Sequence, residues 1–298
     1  MSKKKQKEIK PYKKKIIKRR KPNRSIAGDL FLYLFLLLVA VVMVLPLVFA
    51  VSNALKPLDE LFMFPPKFFA QNPTLDNFSD LFVTMGKSWV TFPRYVFNTV
   101  FITAVGTAGH LIIASMGAFV LAKYEFPGGK TFFKLVTVAM MFSGYVTAIP
   151  NYVILNNLSL IDTYWAVIIP AFAAPMGLFL MKQFMEGIPM ALIEAAKIDG
   201  ANEWRVFANI IMPNVKPAWL TLIIFSVQRL WNDRAGTFIY SEEKKTLVYA
   251  LQQVQGGGVA RAGQAAAVTV VTMVVPIAIF IMSQSQILET MASSGLKD

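Results

Sequence analysis

An all-α, polytopic membrane protein with six transmembrane helices is the fold class this sequence predicts, and three observations predict it. Hydrophobic residues make up 55% of the 298-residue chain and charged residues 16%, with a mean hydropathy of +0.52, a balance unlike that of a soluble domain. Apolar runs approaching the ~20 residues needed to cross about 30 Å of hydrocarbon recur along the chain, bounded by charges and turn formers. The positive charge, finally, is gathered at one end. Residues 1–24 hold 13 Lys/Arg against one acid, Glu8, so they carry +12 of the net +13.

Taken in order, residues 1–28 read as a basic cytoplasmic tail lying against anionic lipid headgroups. The tail lacks the interleaved aromatics of a base-stacking surface, so nucleic acid is not an expected partner. Residues 29–298 read as one six-span domain. The first span, about 30–51, is too long for a signal-peptide core and reads as an uncleaved anchor. Four more follow at about 95–122, 132–149, 164–181 and 218–231, the last of these short and carrying Gln228 and Arg229 near its end; the sixth is at about 265–282. Between spans one and two, Pro57, Pro65, Pro66, Pro73 and Pro93 predict an ordered, largely non-helical cap. Loop 182–217 instead reads as helix. Pro189 suits a first turn, and Leu192, Ala195, Ala196, Trp204 and Phe207 are spaced among Glu194, Lys197, Asp199, Glu203 and Arg205. Gly200 interrupts the pattern, giving two short amphipathic pieces at an angle. Placing both termini in the cytoplasm puts 21 Lys/Arg on the inner side against 8 on the outer.

Several chemistries are excluded. With no cysteine there is no disulfide, thiolate metal site or cysteine nucleophile, and a single histidine, His110, supports neither a His-based metal cluster nor a Ser-His-Asp triad. Gly129-Lys130-Thr131 mimics the end of a phosphate-binding loop, but the required first glycine falls on Tyr124. Gly256-Gly257-Gly258 reads as a flexible turn. The chain is therefore expected to be non-catalytic and to bind no cofactor.

One motif stands out. Glu194-Ala195-Ala196 is followed after three residues by Gly200, and after nine more by Ile210 and, three on, Pro213. This resembles the EAA signature of bacterial ABC-importer permeases, with Met212 in the place of that signature's leucine. Tyr124-Glu125-Phe126-Pro127-Gly128, the run Ile193 to Trp204 and Trp231-Asn232-Asp233 are similar to the maltose-type, carbohydrate-importing branch. The resemblance covers about residues 30–298 and implies the type I importer permease fold. It also implies a second homologous permease, a dimer of cytoplasmic ATPases that bind ATP and magnesium, and an extracellular solute-binding protein. Glu194, Ala195, Ala196, Asp199, Gly200, Ile210 and Pro213 would then form the ATPase-coupling element.

The physics of such an element stands apart from the resemblance. A membrane chain without a nucleotide site receives the energy of ATP through contact. Small alanines let a helix approach a groove wall closely, Gly200 permits the turn back toward the membrane, and Glu194 offers a charge to a partner's arginine or backbone donor. The competing reading is an interfacial helix lying on headgroups with Trp204 down.

Polar residues in or near the spans mark a candidate translocation path: Asn98, Tyr145, Asn151, Gln228, Trp231, Asn232 and Asp233, with Trp165 as a further flat surface for sugar rings. Each could equally be packing glue between helices. His110 reads as a hydrogen-bonded packing residue, and Arg229 is expected to pair with Asp233 one turn on or to snorkel outward. An ABC permease for a non-sugar solute differs only in cargo. An ion-coupled secondary transporter would need intramembrane carboxylates, and a membrane enzyme a converging reactive set; the spans offer neither.

Overall fold

The computed structural model describes residues 26–86 and 89–294, with the side chains of Ile26, Tyr145 and 286–294 outside the description. The basic tail lies outside the described residues, apart from its last three. Two compact units divide between Val48 and Phe49, inside helix α1 (Ile26–Leu55). In the first unit, nearly every apolar side chain from Leu30 to Leu47 is exposed. A helix apolar all round suits a hydrocarbon solvent.

The second unit is built around α4 (Phe92–Lys123), which packs against α7 (Trp165–Phe172), α8 (Pro175–Glu186) and α12 (Lys216–Trp231). Helix α12 also packs on α14 (Ala262–Ser294). Close approach depends on missing side chains: a Cβ at Gly109 of α4 would lie 2.1 Å from the Phe172 ring, and one at Gly177 of α8 2.3 Å from His110 Nε2. At one end of α4 the core holds Phe119, Met181, Met185, Ile193, Val206 and Ile211. At the other it holds Leu81, Tyr95, Leu247, Leu251 and Val268.

Two predicted spans are interrupted within their length, and each break has a local cause. The run expected as one helix over 132–149 is two, α5 (Gly129–Ala139) and α6 (Gly144–Asn157). Met141 N and Phe142 N bond three residues back, to Val138 O and Ala139 O, and the Ser143 carbonyl starts the new helix by accepting from Val146 N at 3.0 Å. Met140, Met141 and Phe142 are apolar, so hydropathy hides this turn. The span expected at 164–181 is interrupted at Ala173 and Ala174, because Pro175 disfavours helical geometry in the residue before it, and Ala174 is extended (φ −63°, ψ 118°). The fifth span, α12, meets the preceding helical segment Glu203–Asn214 at an 82° bend. Among the described residues, four helical stretches are long and apolar enough to cross a membrane, namely Ala27–Leu55, Phe92–Lys123, Trp165–Glu186 and Val259–Ser285, with a fifth if the bent pair is one span.

The proline-rich stretch after α1 is ordered by its polar groups. Glu60 in α2 (Leu58–Leu61) accepts from Gln71 N and Asn72 N, both at 2.9 Å, and from Asn72 Nδ2 at 2.8 Å. Asn77 Nδ2 donates to Ala54 O and Lys56 O from α3 (Asp76–Gly86), the one longer helix of this cap, which packs on α14.

Candidate functional site

The motif-bearing segment folds as the two angled pieces expected. Helix α9 (Met190–Ile198) begins after Pro189, which is its N-cap and not its first turn. The helix ends in a Schellman motif: Gly200 N bonds Lys197 O at 3.1 Å, Ala201 N bonds Ala196 O at 2.9 Å, and Gly200 sits at φ +81°. Only glycine adopts that geometry without strain. The second piece opens on Asn202, whose side chain caps Arg205 N at 2.9 Å. It continues through α10 (Glu203–Val206), a π-helical turn over Phe207–Ile211 and α11 (Met212–Asn214).

Burial assigns the faces. Ile193 is 1% exposed and, with half-buried Ala196, packs on Met181, Met185 and Phe119. Glu194, Ala195, Asp199 and Gly200 are exposed, as are Leu192, Trp204 and, at 87%, Ile198. This corrects one expectation. Of the two motif alanines only Ala195 faces outward, because Ala196 follows Ile193 by three residues and so shares its inward face. Ile210 is half-buried and Pro213 exposed. They shape the elbow: Pro213 has no N–H to return to the previous turn, Asn214 Nδ2 bonds Ile210 O at 2.7 Å, and Trp219 Nε1 reaches back to Met212 O at 3.1 Å.

A contact network that the sequence did not reveal fixes this elbow to the loop after α4. Tyr124 OH donates to Glu203 Oε2, Lys197 Nζ lies 2.7 Å from Glu203 Oε1 and 5.3 Å from the Tyr124 ring centroid, and Lys123 Nζ donates to Ile188 O at 2.6 Å. Lys197 holds the Glu203 carboxyl below its ordinary range, with Tyr124 adding to the effect, and Glu203 in turn raises Lys197. Partial burial raises the Tyr124 phenol, and its bond to Glu203 raises it further. Tyr124 and Glu203 are 79 residues apart, and the only prior signal was the aromatic at Tyr124 itself.

The candidate path residues divide. Asn98 is fully buried, with Nδ2 donating to Glu243 O at 2.8 Å and Lys245 O at 2.9 Å while Oδ1 accepts from Tyr164 OH at 2.7 Å. Both amide hydrogens and the amide oxygen are used in joining α4 to segment 243–245 and to Tyr164. Segment 243–247 then reaches the end of α12, where Thr246 Oγ1 donates to Asp233 O at 3.1 Å. Gln228 and Trp231 are half-buried, Asn232 Nδ2 donates to Gln228 O at 2.7 Å, and Asp233 Oδ1 accepts from Ala235 N at 2.8 Å. Asn151 is half-buried on α6 and joins no described hydrogen bond with the others; the side chain of Tyr145 is outside the description. His110 bonds Ser226 Oγ at 2.8 Å and Ala174 O at 3.1 Å, the packing role expected. Of the two arrangements expected for Arg229, the structure has the outward one: Arg229 is exposed and forms no ion pair with Asp233, whose carboxylate accepts from Ala235 N instead.

Asp162 was also missed. At φ +60°, before α7, it accepts through Oδ1 from Tyr240 N at 3.0 Å and Ser241 N at 2.8 Å, and through Oδ2 from Ser241 Oγ and Lys244. Partial burial works to raise its carboxyl. The bonds from Ser241, Tyr240 and Lys244 outweigh that and lower it to about 2.

The fold is that of a transport permease. It superposes on a chain from the crystal structure of a bacterial ABC transporter involved in the import of the acidic polysaccharide alginate, with a TM-score of 0.75 over 89% of this chain and 99% of that one at 21% identity. Residues 23–292 match the family described as binding-protein-dependent transport system inner membrane component, and the chain belongs to that family. It is similar to Protein LplC of Bacillus subtilis (strain 168), 36% identical over 228 residues, which are 74% of this chain and 73% of that one. The arabinooligosaccharides transport system permease protein AraQ of Halalkalibacterium halodurans is 32% identical over 65% of this chain and 69% of its own. The polygalacturonan/rhamnogalacturonan transport system permease protein YtcP of Bacillus subtilis (strain 168) is 31% identical over 71% and 72%.

Proposed function

We infer that this chain is one of two homologous permease subunits of an ATP-driven, binding-protein-dependent importer of carbohydrate, an oligosaccharide by preference. The observation that carries the coupling half of this reading is the exposed face of α9 and Gly200, where Leu192, Glu194, Ala195 and Ile198 stand clear of the chain's own core. Apolar groups held out beside an unpaired carboxylate suit a groove on another protein. The cargo half is supported by relatives named for arabinooligosaccharide and polygalacturonan transport.

On this reading the chain crosses the cytoplasmic membrane six times with both termini inside. The broken pair α5 and α6 supplies the third crossing, and α12 the fifth. A dimer of cytoplasmic ATPases binds ATP and magnesium and receives α9. As the ATPases close, the groove carries α9 with it, and the elbow, bonded through Trp219 and Asn214, passes the displacement to α12. The helices then rock between inward-open and outward-open states, and an extracellular solute-binding protein delivers cargo to the outer mouth. Gln228, Trp231, Asn232 and Asp233 line that path with Asn151 and Tyr145, while Asn98 holds its wall.

Replacing Gly200 by Val tests the coupling. A Cβ there meets nothing within 4 Å, so the substitution strains only the left-handed turn, by about 1–2 kcal/mol. In proteoliposomes holding the complete importer, G200V should leave ATP hydrolysis running and abolish uptake. Uptake at the wild-type rate would remove the role assigned to this segment.

A further inference from the structure

Apart from Lys216 at its first position, Arg229 is the only charge in α12, and it lies on an exposed face of that helix. Nearby, a cavity of about 310 Å3 opens between α4, the break joining α7 to α8, and α12. Its walls are largely apolar, with Met176, Leu222, Phe225 and Leu230 around Arg229. The two other polar side chains there, His110 and Ser226, bond each other, and His110 also bonds Ala174 O. Arg229, by contrast, joins no described hydrogen bond, and its guanidinium donors are open to a ligand.

Among the described residues no carboxylate answers it. The four described ion pairs, Lys182–Glu186, Lys197–Glu203, Lys244–Asp162 and Lys245–Glu242, leave it out. Asp233, one turn on, bonds Ala235 N instead. Arg94, by contrast, is held by Glu243 O and Tyr164 OH. A guanidinium stays protonated at any physiological pH and presents a planar fork of donors that matches a carboxylate with two parallel bonds. In an apolar span such a group is costly unless an anion reaches it.

The same face of α12 carries exposed Phe225 and Asn232, four residues before Arg229 and three after it, so the three share one helical stripe. An aromatic ring offers flat contact to a pyranose, an amide bonds its hydroxyls, and the guanidinium between them has no use for a neutral sugar that an amide would not serve as well. We propose that Arg229 clasps a carboxylate of the cargo and makes the pathway selective for oligosaccharides bearing uronic acid residues over neutral ones of the same shape. This rests on the carbohydrate reading above and narrows it.

The test uses the complete importer with its own binding protein in proteoliposomes, supplied with trigalacturonate or with its methyl ester, which keeps the sugar and removes the charge. Wild type should take up the acid at least about tenfold faster than the ester, the scale of a charge-assisted bidentate bond. Arg229→Gln should lower acid uptake by about that factor and leave ester uptake unchanged. Arg229→Lys, with charge but no fork, should fall between. An acid-to-ester ratio unchanged in Arg229→Gln overturns the proposal, including the case where both forms fall together because the anion is supplied by the second permease. If Arg229→Gln fails to assemble, the ratio in Arg229→Lys decides in the same way. A wild-type complex that carries neutral arabinan fragments but neither galacturonide form sinks this proposal and leaves the carbohydrate reading standing. ATP hydrolysis with no glycan uptake at all sinks that reading instead.

Discussion

The polar residues at the two ends of α4 are used in opposite ways. At its N-terminal end, Asn98 and Asp162 bond backbone groups of segment 240–245 and Tyr164 donates to the Asn98 side chain, so the connecting loops are held by their own chain. At its C-terminal end, Glu194 and Asp199 join no described ion pair or side-chain hydrogen bond, and Ile198 is 87% exposed. A loop that satisfies its own polar groups maintains a shape. One that keeps charge and apolar surface outward is built to be gripped by something else.

Two isoleucines five residues apart on α9 give the sharpest way to break that contrast. Ile193 is 1% exposed, and truncation to Ala should cost about 2–5 kcal/mol, visible as a lower unfolding temperature of the purified complex. Ile198→Ala should change stability by no more than about 0.5 kcal/mol while reducing ATP-driven uptake. Equal thermal shifts for the pair would mean that α9 has no free face.

Asn98→Ala comes next. It strips partners from Glu243 O, Lys245 O and Tyr164 OH and should cost about 2–3 kcal/mol, read in the same thermal assay. If stability holds and cargo preference changes instead, Asn98 belongs to the path and not to its wall.

Acid sharpens the comparison further. Asp162 is lowered from 3.8 to about 2, so its stabilising contribution is fully present above pH 3.8 and is lost as pH falls through about 2. Asp162→Asn should flatten the pH dependence of unfolding in that window. A profile identical to wild type would show that the carboxylate does not hold segment 240–244.

Glu203→Gln should have the smallest effect, at most about 1 kcal/mol, because Lys197 and Glu203 are both substantially exposed. A loss several times larger would make the Tyr124–Glu203 contact a structural keystone of the elbow.

The apolar runs, the paired amphipathic pieces and the turn at Gly200 were legible because each depends on local spacing: about 20 apolar residues, a 3.6-residue period, one residue free to take positive φ. The turn at Met140–Ser143 was not legible from hydropathy, since Met140, Met141 and Phe142 are all apolar; its one local signal is the Ser143-Gly144 pair that follows. Trp204 was readable as amphipathic but not as outward-facing, because its exposure is set by where α9 and α10 dock.

By itself, then, the sequence determined that the chain is a helical membrane protein with one helical, motif-bearing connection, for these follow from composition and near-neighbour periodicity. Tertiary structure decided which polar groups are consumed. It closed Asn98 on three partners, turned Ala196 inward, joined Tyr124 to Glu203 across 79 residues and drew the Asp233 carboxylate away from Arg229. Hydrogen bonds and charge pairs act only over a few ångströms, and folding alone settles which distant residues come that close.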